Sequence, residues 1–321
     1  MSGASGSTSG SGGASGGSGT LGDGLLVVGD VVTDVVARHR TPLTAGTDTA
    51  ADIRTLPGGA GANVASWAAY TGCPDVRLLA RIGADSAAWH ERALAEAGVR
   101  PHLVVDPRAP TGTVICLVDA DAERTFLTDS GAVIRLSPAD WSPTLLDGVG
   151  RVHLSGYLFF AEPSRSLARL VLDAAHARGV PVSVDPASAG FLADAGVAPF
   201  LAAATGADVL LPNRDEAAAL TGLPDSADAV AKLSRQFPLV VAKLGAAGAL
   251  ISRAGAAPDH VPAVPARARD TTGAGDAFTG AFLAALLAGA TDTEAVTRGC
   301  QAGAQAVTRV GARPPGPAST D

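Results

Sequence analysis

The stretch Asp270-Thr-Thr-Gly-Ala-Gly-Asp-Ala-Phe-Thr-Gly280 joins a loop-like segment to an Ala/Leu-rich helical run. Three small residues at a helix start, Gly273, Ala274 and Gly275, let successive backbone N–H groups converge on an anion, and the positive end of the helix dipole reinforces them. Asp276 follows at once, where an incoming hydroxyl would approach that anion. A cradle for a transferred group, beside a carboxylate aimed at the acceptor, is the arrangement that phosphoryl transfer needs. The residues alone also admit a plainer alternative, in which Asp276 caps the helix and the glycines make a tight turn.

Outward from this stretch the chain alternates short apolar runs with helical patterns, the signature of a βα sheet protein. Strands are expected at residues 25–28, 76–80, 152–155, 182–185, 209–211, 239–243 and 249–252, and helices at 62–70, 87–97, 164–178, 215–221, 227–236, 275–287 and 293–307. Continuous runs such as Leu25-Leu-Val-Val28 fit strands buried on both faces, hence a mostly parallel sheet covered by helices. Residues 104–127 differ. Thr113-Val-Ile-Cys-Leu-Val118 and Arg124-Thr-Phe-Leu127 flank the turn-forming Asp119-Ala-Asp-Ala-Glu123, which suggests a β-hairpin. With residues 49–56 it would make a small projecting sheet, a candidate lid, or else an ordinary edge hairpin.

Residues 1–22 are almost wholly Gly, Ser, Ala and Thr and are expected to be a disordered tail, and the Pro/Gly-rich residues 314–321 a flexible one. Gly13-Ala-Ser15-Gly-Gly17 matches the hydrolase pattern GxSxG, but no strand precedes it and no helix follows, so it is chance in a low-complexity segment.

The 321 residues carry 24 Lys and Arg against 31 Asp and Glu, a net charge of −7, with lysine only at Lys232 and Lys243. That balance argues against nucleic acid or an anionic membrane as partner. Cys73, Cys116 and Cys300 are dispersed and the six histidines are unclustered, so neither a disulfide framework nor a His/Cys metal site is expected, and a reducing, cytoplasmic location is the simplest reading. The longest markedly apolar stretch, residues 277–290, falls short of the roughly 20 residues that span a bilayer. There is no GxxxxGK[ST], and Gly29-Asp-Val-Val-Thr-Asp34 lacks the GxGxxG of a dinucleotide-binding dehydrogenase.

Four further segments combine glycines or polar groups with strand ends. Pro57-Gly-Gly-Ala-Gly-Ala-Asn63 precedes a helix; its glycines serve close packing or a ligand, and an amide such as Asn63 can both donate to and accept from a polyol. Asp30 and Asp34 follow the first strand, at the end where open α/β sheets bind ligands, although turn or cap roles fit them equally. Leu210-Leu-Pro-Asn-Arg-Asp-Glu216 puts Asn213 and Glu216 on one face of a first helical turn, either as caps or orienting water around a divalent ion. Val240-Val-Ala-Lys-Leu-Gly-Ala-Ala-Gly-Ala249 runs a strand into a Gly-containing turn, with Lys243 lending charge or laying its stem on apolar surface. Asp185 stands at another strand end on the same side.

The stretch from Asp270 to Phe278 resembles the C-terminal signature of the ribokinase-like, or PfkB, carbohydrate kinases, and the likeness runs from about Leu25 to Pro314. The resemblance implies a three-layer α/β/α fold with a mostly parallel central sheet and a small β-sheet lid, in a kinase domain over 23–313 with the lid from about 49–56 and 104–128. It makes Asp276 the catalytic base and Gly273, Ala274 and Gly275 the anion hole. Asp34, Gly58, Gly59 and Asn63 match positions that hold substrate hydroxyls. Asn213 and Glu216 match an Asn-x-x-Glu motif that holds Mg2+ through water, while Asn213 again, with Lys243, Gly245, Gly248 and Thr272, falls with the ATP site. Arg81 and Asp85 fall in a pattern read as structural. The loop Ala306-Val-Thr-Arg-Val-Gly-Ala312 is similar to one that, with backbone near Asp270 and Thr272, binds K+ in several members. Here Pro315 stands where a hydroxyl-bearing ligand residue can occur, which argues against potassium activation.

The expected reaction is ATP-dependent phosphorylation of a primary hydroxyl of a ribose-like or other monosaccharide. A nucleoside kinase of adenosine or pseudouridine type is the alternative; Phe126, Tyr157, Phe159 and Phe160 are the rings available for a base, although core or lid packing is the use expected for them. A non-catalytic sugar or nucleotide sensor is the alternative of another class, and the presence of Asp276 counts against it. Exposed edges on the lid leave open a homodimer through it or a free lid.

Overall fold

Leu25, Leu26, Val27 and Val28 are each fully buried, because β1 (Gly24–Val28) lies inside a nine-stranded sheet with helices on both faces. The computed structural model describes Met1 and residues 22–121 and 123–315; the expected N-terminal tail apart from its two ends, and the last six residues of the expected C-terminal tail, lie outside the described residues. β1 is followed by β2 (Val32–His39), β3 (Ala51–Gly58), α1 (Ala60–Tyr70), β4 (Asp75–Gly83), α2 (Ala87–Glu96) and β5 (Val99–Asp106). Then come β6 (Gly112–Val118), β7 (Arg124–Asp129), β8 (Val149–Ser155), α3 (Ser164–His176), β9 (Val182–Asp185), α4 (Ala189–Ala195) and α5 (Val197–Ala204). The chain continues through β10 (Val209–Leu210), α6 (Arg214–Thr221), α7 (Ser226–Leu233), β11 (Leu239–Lys243), β12 (Ala249–Arg253), β13 (Asp259–Val261), α8 (Ala274–Leu287) and α9 (Asp292–Ala306).

The large sheet has the order β13-β12-β11-β10-β9-β8-β1-β4-β5, parallel from β5 to β11 and antiparallel at β12 and β13. Alternate side chains of β1 enter two cores. Leu26 and Val28 pack with α3 to α7, and Leu25 and Val27 pack with α1, α8 and α9, which gives three layers. The strand order reverses between β1 and β8, and a crevice opens there at the C-terminal strand ends. Among the described residues, no helix is long and apolar enough to cross a membrane.

The smaller sheet has the order β3-β2-β6-β7. β6 and β7 form the expected antiparallel hairpin. Three expectations are corrected. Asp34 lies within β2, paired with Leu56 on one side and Val114 on the other, rather than in a loop beyond the first strand; the two aspartates had masked a strand whose half-polar alternation suits a one-sided sheet. Residues 104–106 belong to β5 at the edge of the large sheet, parallel to β4, so the hairpin of the small sheet starts at Gly112. Its other strand runs over Ala51–Gly58 rather than 49–56. α4 and α5 were also unforeseen: Gly196, at φ 91°, splits them into pieces too short to show a helical period.

Candidate active site

A cavity of about 1120 Å³ lies between the C-terminal ends of the large sheet and the inner face of the small one. Strand pairing decides which lid side chains face it. Asp34, Val114 and Thr128 form one cross-strand row, Val36, Cys116 and Phe126 the next, and Arg38, Val118 and Arg124 the third; all nine line the cavity.

At the cavity floor α8 begins at Gly273, whose φ of 73° favours glycine and where a Cβ would lie 2.5 Å from that of Ala312. No side chain caps this helix; Ala274 N donates to Thr271 O at 3.3 Å, and the first-turn N–H groups beyond it are left for a ligand, the condition for anion binding. Asp276 sits in that first turn and accepts a hydrogen bond from Asn63 Nδ2 at 2.8 Å. Burial raises the Asp276 carboxyl to about 7; the Asn63 bond and Lys243 oppose the shift, while Asp185 and Asp30 add to it. Asn63 Oδ1 is buried without a partner, an acceptor held ready beside the carboxylate.

Asn63 is placed by the start of α1, which Asp30 organises. Its carboxylate accepts from Ala60 N at 2.7 Å, Gly61 N at 3.1 Å and Ser155 Oγ at 2.8 Å, so it ties β1 to β8 and to the helix. Asp30 is thus a structural brace. Gly59, at φ 99°, makes the turn that brings α1 against it; a Cβ there would stand 2.5 Å from Asp30 O. Asp34 faces Gly58 so closely that a Cβ on that glycine would be 2.3 Å from the carboxylate. Burial and the nearby Asp30 raise Asp34 to about 7, against the pull of Arg313.

Lys243, at the end of β11, pairs with Asp185 at the end of β9, and Thr279 Oγ1 donates to the same carboxylate at 3.2 Å. Burial opposes the Lys243 charge, but Asp185 and Glu216 outweigh it and hold the ammonium above its usual range. A Cβ on Gly275 would come within 3.7 Å of Nζ, which puts this charge beside the first turn of α8.

Asn213 and Glu216 form a reciprocal cap at the start of α6. Glu216 N donates to Asn213 Oδ1 at 2.8 Å, Asn213 N to Glu216 Oε2 at 2.8 Å, and Asn213 Nδ2 to Glu216 Oε1 at 2.7 Å. Both residues still line the cavity. Burial, then Asp185, raise the Glu216 carboxyl, with Lys243 opposing. Among the described residues no group of three metal-ligating side chains converges, so these groups fit a hydrated ion better than a direct carboxylate cage. Gly245 and Gly248 line the cavity with φ values of 60° and 89°, and a Cβ on Gly248 would strike Val261 O at 2.1 Å. Gly248 is therefore required by the fold, while Gly245 faces open space.

The loop before α8 carries one contact the sequence did not suggest. Arg124, from β7, donates to Thr272 Oγ1 at 2.8 Å and Thr271 Oγ1 at 2.5 Å and pairs with Asp270 at 3.3 Å, joining the small sheet to the Asp270–Thr272 segment. Thr272 N and Oγ1 both donate to Asp270 Oδ1, and Gly311 N donates to Oδ2. Trp67 Nε1 donates to Ala312 O, and Arg269 N and Asp270 N to Val307 O, so part of the carbonyl array in the C-terminal loop is engaged within the fold. Arg81 bridges Asp106 and Asp140, and Asp85 holds Thr111, both at a distance from the α8 start and as structural braces.

A family model described as pfkB family carbohydrate kinase matches residues 23–319. The chain is 32% identical over 275 residues to a fructokinase of Klebsiella pneumoniae, covering 82% of this chain and 84% of that protein. It is 32% identical over 276 residues to the bifunctional protein HldE of Caulobacter vibrioides, covering 79% of this chain but 52% of that protein, so it spans about half the length of that relative. In three dimensions it is similar to a ribokinase of Arabidopsis thaliana complexed with ribose and ATP, with a TM-score of 0.73, 27% identity, and coverage of 91% of this chain and 95% of the other.

Proposed function

The chain belongs to the pfkB family of carbohydrate kinases, and from that premise we propose that it transfers the γ-phosphoryl group of ATP to a primary hydroxyl of a monosaccharide or a nucleoside, a ribose-like sugar first among them. The observation that carries this reading is the Asn63–Asp276 bond directly beneath the uncapped start of α8. It joins a hydroxyl-binding amide on α1 to a carboxylate and an anion cradle at the start of α8.

In this reading Asp34, Gly58, Gly59 and Asn63 hold the acceptor: Asp34 accepts from sugar hydroxyls and the Asn63 carbonyl takes another. Asp276 removes the proton from the attacking oxygen as the hydroxyl approaches phosphorus. The backbone of Gly273, Ala274 and Gly275 stabilises charge on the transferring group, and Lys243 reinforces it from the β11 side. Mg·ATP, when bound, supplies that group and part of the neutralising charge. Asn213 and Glu216 would hold the ion through its water, and Gly245, Gly248 and Thr272 border the nucleotide. The small sheet, tied to the signature loop through Arg124, keeps water from the reacting oxygen.

The test is Mg·ATP-dependent ADP release with D-ribose, D-fructose, 2-keto-3-deoxygluconate, adenosine and pseudouridine. One acceptor is expected to stimulate release far above the rest. Release that no hydroxyl compound stimulates counts against the reading. Gly58→Ala should push the Asp34 carboxylate aside and raise the KM of the active acceptor about tenfold, roughly the strength of one hydrogen bond to a charged group, with kcat much less affected. An unchanged KM would remove Asp34 from the acceptor site.

A further inference from the structure

Among the described residues, the buried side-chain nitrogens and oxygens without a hydrogen-bond partner are Asn63 Oδ1, His90 Nδ1 and two nitrogens of one guanidinium, Arg313 Nε and Nη1. Asn63 belongs to the site above. The others belong to residues that do not line the cavity but touch its neighbours. His90 Nε2 bonds Thr33 Oγ1 at 3.1 Å, next in sequence to Asp34, and Arg313 Nη2 donates to Gly58 O at 3.4 Å, the glycine against which the Asp34 carboxylate lies. Arg313 is partly buried, and two buried guanidinium nitrogens without partners are costly unless an opposite charge compensates them. Asp34 is that charge, although the two form no direct ion pair.

We propose that Arg313 is a positioning residue for the acceptor site: the segment after α9 brings its charge behind Gly58, and that charge keeps the Asp34 carboxylate ready to accept acceptor hydroxyls. The inference rests on the reading of Asp34 given above. Arg38 and Arg124 stand further along the same face, in the third cross-strand row, and Arg313 is the cation that lowers Asp34. Asp30 pushes the Asp34 carboxyl the same way as burial does. Cys116, across on β6, is held protonated by burial. His90, on α2, is driven to about 4 by burial, helped by Arg313, and is neutral at pH 7. Burial in turn lowers Arg313 to about 10, still charged, with Asp34 opposing the shift.

The test is a 13C NMR titration of aspartate-labelled protein, with the Asp34 signal assigned by its loss in Asp34→Asn. In Arg313→Met the Asp34 midpoint should rise by about one unit or more, and in Arg313→Lys it should stay near the wild-type value. Met leaves Asp34 without its opposing charge and Gly58 O without its donor, so this variant should melt somewhat below wild type; Arg313→Gln, which keeps an amide donor, is the second neutral variant. In the ADP-release assay at pH 7, Arg313→Met should raise acceptor KM about five- to tenfold with kcat nearly constant, the deficit closing toward pH 8.5 as Asp34 ionises. A midpoint that is the same in wild type and both neutral variants overturns the proposal. Asp34→Asn without effect on acceptor KM would instead remove Asp34 from the acceptor site, while Asp34→Asn raising KM with Arg313→Met silent would count against Arg313 alone.

Discussion

Asp276→Asn is expected to lower turnover by about 10²- to 10⁴-fold, the usual contribution of a positioned general base, while ATP affinity stays nearly unchanged. The substitution is close in shape and keeps the start of α8, so the backbone cradle at Gly273–Gly275 survives; what disappears is the group that takes the hydroxyl proton. The same carboxyl gives the pH dependence. Held at about 7 by burial, it is a base only when deprotonated, so kcat/KM should fall as pH drops below about 7 and reach a plateau above it. Stability moves the other way. A carboxyl raised from 3.8 to about 7 on folding contributes stability fully present below 3.8 and lost as pH rises through 7. Asp276→Asn should therefore melt above wild type at pH 8 and lose that advantage toward pH 4. Turnover unchanged in the variant would exclude Asp276 as the base, and an identical melting difference at both pH values would exclude a buried carboxyl of this kind.

The largest effect on stability is expected from Lys243→Met. The Lys243–Asp185 pair is mostly buried, each side chain 12% exposed, and removing the ammonium leaves a carboxylate with only Thr279 and the Ala187 N–H for company. Breaking a buried pair from one side costs about 3–5 kcal/mol, a fall in melting temperature on the order of 10 °C for a chain of this size. Asp185→Asn in the same chain should recover most of it, because the cost lies in the stranded charge. A single variant within about 2 °C of wild type would mean that the pair is open to solvent. ATP-dependent activity in Lys243→Met should also drop, since the charge beside Gly275 goes with it.

The parts of the fold legible in the sequence were those where one local pattern suffices. Leu25–Val28 reads as a strand buried on both faces because nothing polar interrupts it, and the helix after Gly273 reads from small residues followed by an Ala/Leu run. The hairpin of β6 and β7 was visible from its turn, but its partner β2 was not. Asp34 looks like a loop carboxylate until Leu56 and Val114 are known to flank it, and that pairing is non-local. Residues 104–106 were drawn into the lid for a related reason: an edge strand next to a projecting sheet has the same mixed composition as that sheet.

The candidate site divides in the same way. Gly273, Asp276, Asn63 and Asp34 were nameable from motifs, because each depends on backbone conformation or chemistry within a few residues. Arg124 and Arg313 act over separations of 148 and 255 residues, and no short pattern announces them. The Asn213–Glu216 pair shows the limit from the other side. Its spacing admitted a cap or a metal site, and the described geometry is a complete reciprocal cap that also faces the cavity.

The decisive experiment is 31P NMR of the protein turning over Mg·ATP with the acceptor that stimulates ADP release, alongside Asp276→Asn under the same conditions. A phosphomonoester signal growing in step with ADP, split by the protons of a primary carbon, with little inorganic phosphate and almost no product from the variant, is the expected result. ADP accompanied by inorganic phosphate alone, or an ester formed equally fast without Asp276, would mean that the carboxylate beneath the α8 cradle does not direct a sugar or nucleoside hydroxyl onto phosphorus.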